Sequence, residues 1–352
     1  MDDLPPHARV AIVGGGFAGL ATAWALAEAG CRDVVVLERE SRLAAHASSH
    51  NAAMCRALAE DDAWTAWTSA GARWLRQPPT GFSPRPLVDD RGAILLTQAP
   101  AALAALAARH QLRCVPVTAA EVAARWPGLE VDHGGLWFPD DGCIDLDALT
   151  AGYVDGGRRR GVRYLCDAGV TAIRHDGDRA HLATARGPLS AALVIAAGGA
   201  WSGALGALAG VAGAFTARRR HLFSLRLTVD DAPIVWHVDA GEWYVRPAPG
   251  GVMASACDHD ATAPGDVTVD PEVRVRLRAR LPATLAAVPI ERAWACQRTY
   301  ADGGLPLIAL DPDRPWWLWV AGLGGHGVTA SAAIGQAAAA CALAAPPLRA
   351  PA

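Results

Sequence analysis

The sequence predicts a mixed α/β (α+β) protein in which a dinucleotide-binding domain, assembled from separated pieces of chain, carries an inserted antiparallel-sheet domain. Three observations predict it. The chain opens on a short apolar run, Val10–Val13, broken by Gly14-Gly15-Gly16-Phe17-Ala18-Gly19 and followed by a helical stretch and a second apolar run, Val34–Leu37. Later segments alternate with period two, as strands with one buried face do. These are Leu222–Val229, Ile234–Val238, Trp243–Arg246 and Val252–Ser255. A last apolar strand, Trp316–Ala321, then meets a second glycine turn at Gly322–Gly325.

The remaining elements follow in order. Leu20–Ala29 is helical in composition and stops at Gly30, a residue suited to the left-handed cap of a helix. Ala63–Leu75 and Ala101–His110 read as helices. Thr118 with Glu121 is the spacing of a capping box, and Trp126-Pro127-Gly128 ends the helix it starts. Leu146–Arg160 is a further helix. Val162–Leu165, Val170–Ile173, Ala180–Thr184 and Leu193–Ala196 read as strands, with a turn at Asp176-Gly177. Val273–Leu281 and about Val328–Ala345 close the helical set.

Composition narrows the function. The chain has 352 residues, 52% of them hydrophobic, and a net charge of −3, so it lacks the basic field of a nucleic-acid binder. The eight cysteines are scattered without a C-x-x-C pair, and no secretory signal is recognised at the N-terminus; together they predict a cytoplasmic protein with buried thiols. Pro188–Ala217 carries no charge and has the length of a membrane span. Its six glycines divide it instead into a strand, a turn and an amphipathic helix. His46 and His50 lie four apart with no third ligand near, so no metal site is expected. His259, between Asp258 and Asp260, reads as a surface loop, and the run Arg218–Arg220 could be a solvated face.

Gly14-x-Gly16-x-x-Gly19 sits between strand and helix, with Glu38 at the end of the second strand, which is the context a dinucleotide fingerprint requires. Gly14 permits the tight turn, Gly16 the approach of the pyrophosphate, and Gly19 the packing of helix on sheet. The helix opening at Phe17-Ala18 offers N–H groups and a positive dipole end to the phosphates. Glu38 can accept from both ribose hydroxyls. This describes a Rossmann-like unit; its place at the N-terminus, with the rest of the nucleotide fold far along the chain, favours FAD over NAD.

Further stretches then fall in a recognisable order: Ser48-Ser49-His50-Asn51-Ala52-Ala53, Asp141–Asp145, Ala196–Ser202, Arg298 with Asp302-Gly303 and Leu305-Pro306, and Gly324-Gly325-His326-Gly327-Val328-Thr329. From Val10 to about Leu343 the chain resembles the D-amino acid oxidase family of FAD enzymes, and within it the bacterial D-arginine dehydrogenases most. The resemblance implies a Rossmann-like FAD-binding domain from residues 1–80, 140–215 and 300–352, and a substrate domain from 81–139 and 216–299. It places Arg39, Ser48, Ser49, His50, Asn51, Ala53, Val170, Ala197, Gly198 and Trp201 on the cofactor. The closing loop, Gly324 to Thr329, would set N–H groups against the flavin edge that gains negative charge. Arg298 would clamp the substrate carboxylate beside the flavin, Tyr244 would donate a hydroxyl to it, and Arg220 and His326 would complete the catalytic set.

What the resemblance implies chemically is hydride transfer from the carbon beside an amine. A D-amino acid would give an imine, then a 2-oxo acid and ammonia, with oxygen or a quinone taking the electrons. Two positions depart from the D-arginine pattern: Gly92 stands where an acidic residue holds the guanidinium, and Met54 where a histidine faces the flavin. Both favour an apolar side chain. Cys296 replaces a glycine; in sarcosine oxidases that position resembles the cysteine bonded to flavin, and otherwise it is a small buried thiol. The alternatives are a glycine- or sarcosine-type oxidase of secondary amines and a non-catalytic FAD-binding subunit.

Overall fold

The structure, a computed structural model, describes residues 3–229 and 231–348. Among them two eight-stranded sheets organise the chain. The first runs Leu307–Leu310, Trp317–Ala321, Gly187–Ala196, His7–Val13, Val34–Leu37, Arg163–Leu165, with the hairpin Val170–His175/Ala180–Thr184 joined to the strand Gly187–Ala196. Its centre is parallel: Val10 pairs with both Leu193 and Val34. Parallel strands are covered on both faces, and Val34–Leu37 is accordingly buried at every position.

The helix after the glycine turn spans Phe17–Glu28, three residues earlier than Leu20, because the turn itself supplies its first residues. It ends in a Schellman motif: Cys31 N–H donates to Leu26 O (2.9 Å) and Gly30 N–H to Ala27 O (3.1 Å), with Gly30 at φ 84°. Against it lies the last helix, Ser331–Leu343. There a Cβ on Gly335 would sit 2.6 Å from the Ala21 backbone, so glycine sets the distance between the two helices. Trp24, Trp74, Phe82 and Tyr153 pack edge-on and stacked beside them, with ring centroids 4.7–6.2 Å apart.

The second sheet runs Ile290–Ala301, Phe215–Leu225, Gly251–Ser255, Trp243–Ala248, Ile234–His237, Ala93–Leu96, Gly135–Phe138, Val115–Val117. It is antiparallel except where Ile234–His237 runs parallel to Ala93–Leu96. The strand expected over Leu222–Val229 begins at Phe215 and ends at Leu225, and Arg218–Arg220 lies within it. Arg220 is buried at 1% exposure, so the arginine run is not a solvated face. The twelve-residue strand Ile290–Ala301 has no counterpart in the sequence reading, since Arg292 and Arg298 break its apolar alternation.

The uncharged stretch from Pro188 divides as its glycines predict: a strand to Ala196, a 3₁₀ turn at Gly199–Trp201, and a short helix at Ser202–Leu208. Among the described residues no helix is long and apolar enough to cross a membrane. The capping box forms, with Thr118 and Glu121 bonded reciprocally.

Candidate active site

One cleft begins at the carboxyl ends of the first sheet's strands and continues toward the face of the second sheet. It consists of two contiguous cavities of about 480 Å³ each, which share Gly16, Ser48, Ala197, Cys296 and Gln297 in their walls.

The first cavity forms where the strands His7–Val13, Val34–Leu37 and Gly187–Ala196 end. Gly14 cannot be replaced there: a Cβ would fall 2.2 Å from Ala197 O. Gly19 does not face the cavity; its Cβ would sit 2.0 Å from Gly14 O, so its absence lets the helix close on the turn. Glu38 lines the wall, its carboxylate fixed by the Gly15 N–H (2.7 Å) and the Glu40 N–H (3.0 Å). Ser48 Oγ accepts from the Phe17 N–H at 3.0 Å, while the N–H groups of Gly16 and Ala18 make no hydrogen bond among the described residues. Unpaired amides at a helix start suit an anion. Arg39 lies over the Trp201 ring at 3.9 Å, and Val170, Gly198 and His50 complete this part of the wall.

The second cavity receives Phe17, Ala18, Asn51, Ala53 and the whole loop Gly324, Gly325, His326, Gly327, Val328 and Thr329. Asn51 ties its own segment together, donating to Ala47 O and Ser48 O and accepting from the Ala53 N–H at 2.7 Å, which holds Ala53 at φ 52°. The closing loop is a run of turns, and the helix after it starts at Ser331 rather than Val328. The loop still presents free amides: the N–H groups of Gly325, Gly327, Val328 and Thr329 carry no hydrogen bond among the described residues. Thr329 Oγ donates to Met54 O at 2.9 Å and anchors the loop. This cradle fits the flavin edge that becomes negative on reduction.

The cationic wall adjoins this loop. Arg298 and Arg220 both line the cavity, and neither pairs with a carboxylate among the described residues. The Arg298 guanidinium lies against Gly325, where a Cβ would meet Nη1 at 2.8 Å. Arg220 donates through Nη2 to His259 Nε2 at 3.0 Å and leaves Nε and Nη1 without partners. Desolvation first, then the charges of Arg220 and Arg298, push His259 down to about 4, so it is a neutral acceptor. The surface loop expected around His259 is only partly that: Asp258 is buried and grips the buried His221 at 2.7 Å.

His326 donates from Nε2 to Glu60 at 2.7 Å and packs on Trp64; burial lowers its basicity against the pull of Glu60. Burial opposes the Glu60 charge, but Arg56 and His326 hold its carboxyl well below the usual range.

Two further predicted residues lie outside the cavity walls. Tyr244 is fully buried beside Trp236 and does not line the cavity; burial pushes its hydroxyl up to about 12. Its unpartnered hydroxyl lies within reach of the Arg298 and Arg220 charges, which oppose that rise, and Trp243 is buried in the core as well. Ser49 bonds Ala45 O and His46 O and lines neither cavity. Cys296 faces both cavities, with its thiol pKa raised by burial. Sequence reasoning passed over Arg56, Glu60, Trp236, Glu242 and Tyr300 in the second wall. No motif marks them, because they arrive from separate segments: Arg56 and Glu60 from the loop before Asp62, Trp236 and Tyr300 from two different strands, and Glu242 from a turn.

Free amides at both ends of one cleft, joined by a glycine-lined floor, define a dinucleotide flavoprotein. The chain matches the DAO family model, described as FAD dependent oxidoreductase, over residues 9–341, and it belongs to that family. FAD is its cofactor. Sarcosine oxidase subunit beta of Rhizobium meliloti is 27% identical over 88% of this chain and 78% of its own. Human mitochondrial sarcosine dehydrogenase is 26% identical over 59% of this chain, which spans only 24% of that protein. In fold, the chain is similar to L-proline dehydrogenase from P. horikoshii (TM-score 0.85, 18% identity, 96% of this chain and 93% of that one). It is likewise similar to glycine oxidase from Geobacillus kaustophilus (TM-score 0.79, 22% identity, 96% and 95%). The family expectation therefore stands, while the relatives and neighbours found are sarcosine, proline and glycine enzymes and do not single out D-arginine dehydrogenase.

Proposed function

We propose that the protein oxidises the C–N bond of an amino acid or N-substituted amino acid held by its carboxylate. One observation carries this: two guanidiniums, Arg298 and Arg220, line the cavity without a carboxylate partner among the described residues, in the same wall as the free amides of Gly325, Gly327, Val328 and Thr329. A guanidinium fork is the side chain best matched to a carboxylate. Bound FAD supplies the two-electron acceptor.

The chain's own work is positioning. The arginine pair fixes the carboxylate and opposes a further positive charge, so it favours the amine in its neutral form, which can part with hydride. His259, itself neutral, orients Arg220. Loss of hydride from the carbon and release of the product leave an imine that water hydrolyses to a 2-oxo acid and ammonia or a primary amine. Oxygen or a quinone takes the electrons. The eight unpaired thiols support a cytoplasmic setting. The strand assignments to two sheets support the division into a discontinuous FAD domain and a substrate domain.

Two substrate classes compete within this reading. The family resemblance supports a D-amino acid, with Met54, Trp64 and Trp236 as apolar wall. The sarcosine oxidase relative, matched along most of the chain, favours a secondary amine of the sarcosine type. Anaerobic mixing with D-amino acids, L-amino acids and N-methylated amino acids tests both by bleaching of the flavin. Bleaching by one class selects it. No bleaching by any of them sinks the proposal and leaves a non-catalytic FAD subunit.

A further inference from the structure

Away from the FAD cleft, one corner of the second sheet brings together His133, His237 and Asp239, none of which lines either cavity. His237 ends the strand Ile234–His237, Asp239 lies two residues beyond, and His133 precedes the strand Gly135–Phe138. One ligand atom from each lies within 4.8 Å of the others, and His133 Nε2 is already 3.7 Å from Asp239 Oδ2.

The nitrogens are anomalous as they stand. Both ring nitrogens of His133 and Nδ1 of His237 are buried and have no hydrogen-bond partner. A buried polar atom left unpaired costs about 1–3 kcal/mol, and three in one place demand an explanation. A water could satisfy one or two of them. A cation takes one nitrogen from each histidine together with an Asp239 oxygen, and leaves the second His133 nitrogen to a water.

We propose that His133, His237 and Asp239 bind a divalent transition-metal ion of the zinc class, with water completing the shell. Metal–ligand bonds of about 2.0–2.2 Å place tetrahedral donors roughly 3.4 Å apart, so the shell closes by side-chain shifts of about an ångström. The outer shell is in place: Thr97 Oγ donates to Asp239 Oδ1 and the Gln98 N–H to Oδ2, both at 2.8 Å, which fixes the carboxylate. The His237 ring is stacked on Trp243 at 4° between planes, which fixes its orientation. Two imidazoles and one carboxylate suit Zn²⁺, Co²⁺ or Ni²⁺ and are a poor set for Mg²⁺. The ion would stitch together two chain segments, at the ends of the strands Ile234–His237 and Gly135–Phe138 that flank Ala93–Leu96, so its role is to fasten the substrate sheet.

The test uses FAD-loaded protein stripped with a chelator and titrated with ZnCl₂ by calorimetry, with MgCl₂ as control. One Zn²⁺ per chain, no Mg²⁺ uptake, and visible d–d bands with Co²⁺ are expected. Asp239→Asn, which preserves the shape of the carboxylate, and His133→Ala should each weaken Zn²⁺ binding tenfold or more while the flavin spectrum is unchanged. Should a histidine variant fold poorly, Asp239→Asn decides the matter alone. Absence of stoichiometric Zn²⁺ uptake, or uptake of equal affinity in Asp239→Asn, overturns the proposal.

Discussion

At the scale of single residues, the site depends on charges left without partners. Arg298 has no carboxylate to satisfy, so its fork is free for a ligand, and Lys cannot reproduce a planar two-point grip. Arg298→Lys should lower kcat/KM by about 10–100-fold, roughly 1.4–2.8 kcal/mol, mostly through KM, with FAD retained. Steady-state kinetics and the flavin spectrum check this together; an unchanged KM would place the carboxylate elsewhere. Cys296 is the second informative residue. It faces both cavities as a buried thiol with a raised pKa, which disfavours the thiolate a covalent bond to flavin would need. Acid precipitation should therefore release all the yellow colour into the supernatant. Colour kept in the pellet of the parent protein but lost from that of Cys296→Ser would show the bond instead.

At the scale of elements, close approaches enforced by glycine set the geometry of the cofactor cradle. The helix Asp62–Arg76 presses on the closing loop through Gly71, where a Cβ would fall 2.0 Å from Thr329 O. Thr329 in turn holds Met54 O and so couples the loop to the short strand Met54–Cys55. Gly71→Ala must push the loop away, which disturbs amides that no side chain can replace. Its FAD affinity should fall at least tenfold while the far-UV circular dichroism stays as in the parent, measured by flavin fluorescence on titration. An affinity equal to the parent's would mean that the loop is not the seat of the flavin.

At the scale of the whole molecule, folding buries Asp141 almost completely, with Oδ1 accepting from the Ala57 N–H and Oδ2 unpartnered. Burial pushes its carboxyl up to about 7, against the Ala57 bond and the charges of Arg56 and Arg76. Since the folded pKa lies above the unfolded one, its contribution to stability is complete below about pH 4 and is lost as pH rises toward 7. Asp141→Asn has no such loss. The Tm of the variant minus that of the parent should therefore increase from pH 4 to pH 7 and level off above; parallel curves would refute the assignment. Turnover has its own dependence, rising with pH as the substrate amine loses its proton, and a rate flat between about pH 6 and 10 would exclude that requirement.

The same scales separate what the sequence determined from what it could not. Local signals sufficed for the first βαβ unit, the Gly30 cap, the capping box at Thr118 and the glycine-divided stretch after Pro188, because glycine, proline and capping side chains act through their nearest neighbours. The cofactor motifs were legible for the same reason: each is a turn whose backbone demands are written within six residues. Tertiary structure alone decided the substrate wall. The strand Ile290–Ala301 carries Cys296 and Arg298 on a pattern spoiled by the arginines themselves, and only pairing with Phe215–Leu225 makes it a strand. That pairing sets Arg220 opposite Cys296, and the packing of the remaining segments brings Arg56, Glu60, Trp236 and His259 to the same cavity. The gathering of His133, His237 and Asp239 has the same origin. Burial and the convergence of distant segments depend on the packing of the entire chain, and no short stretch of sequence contains them.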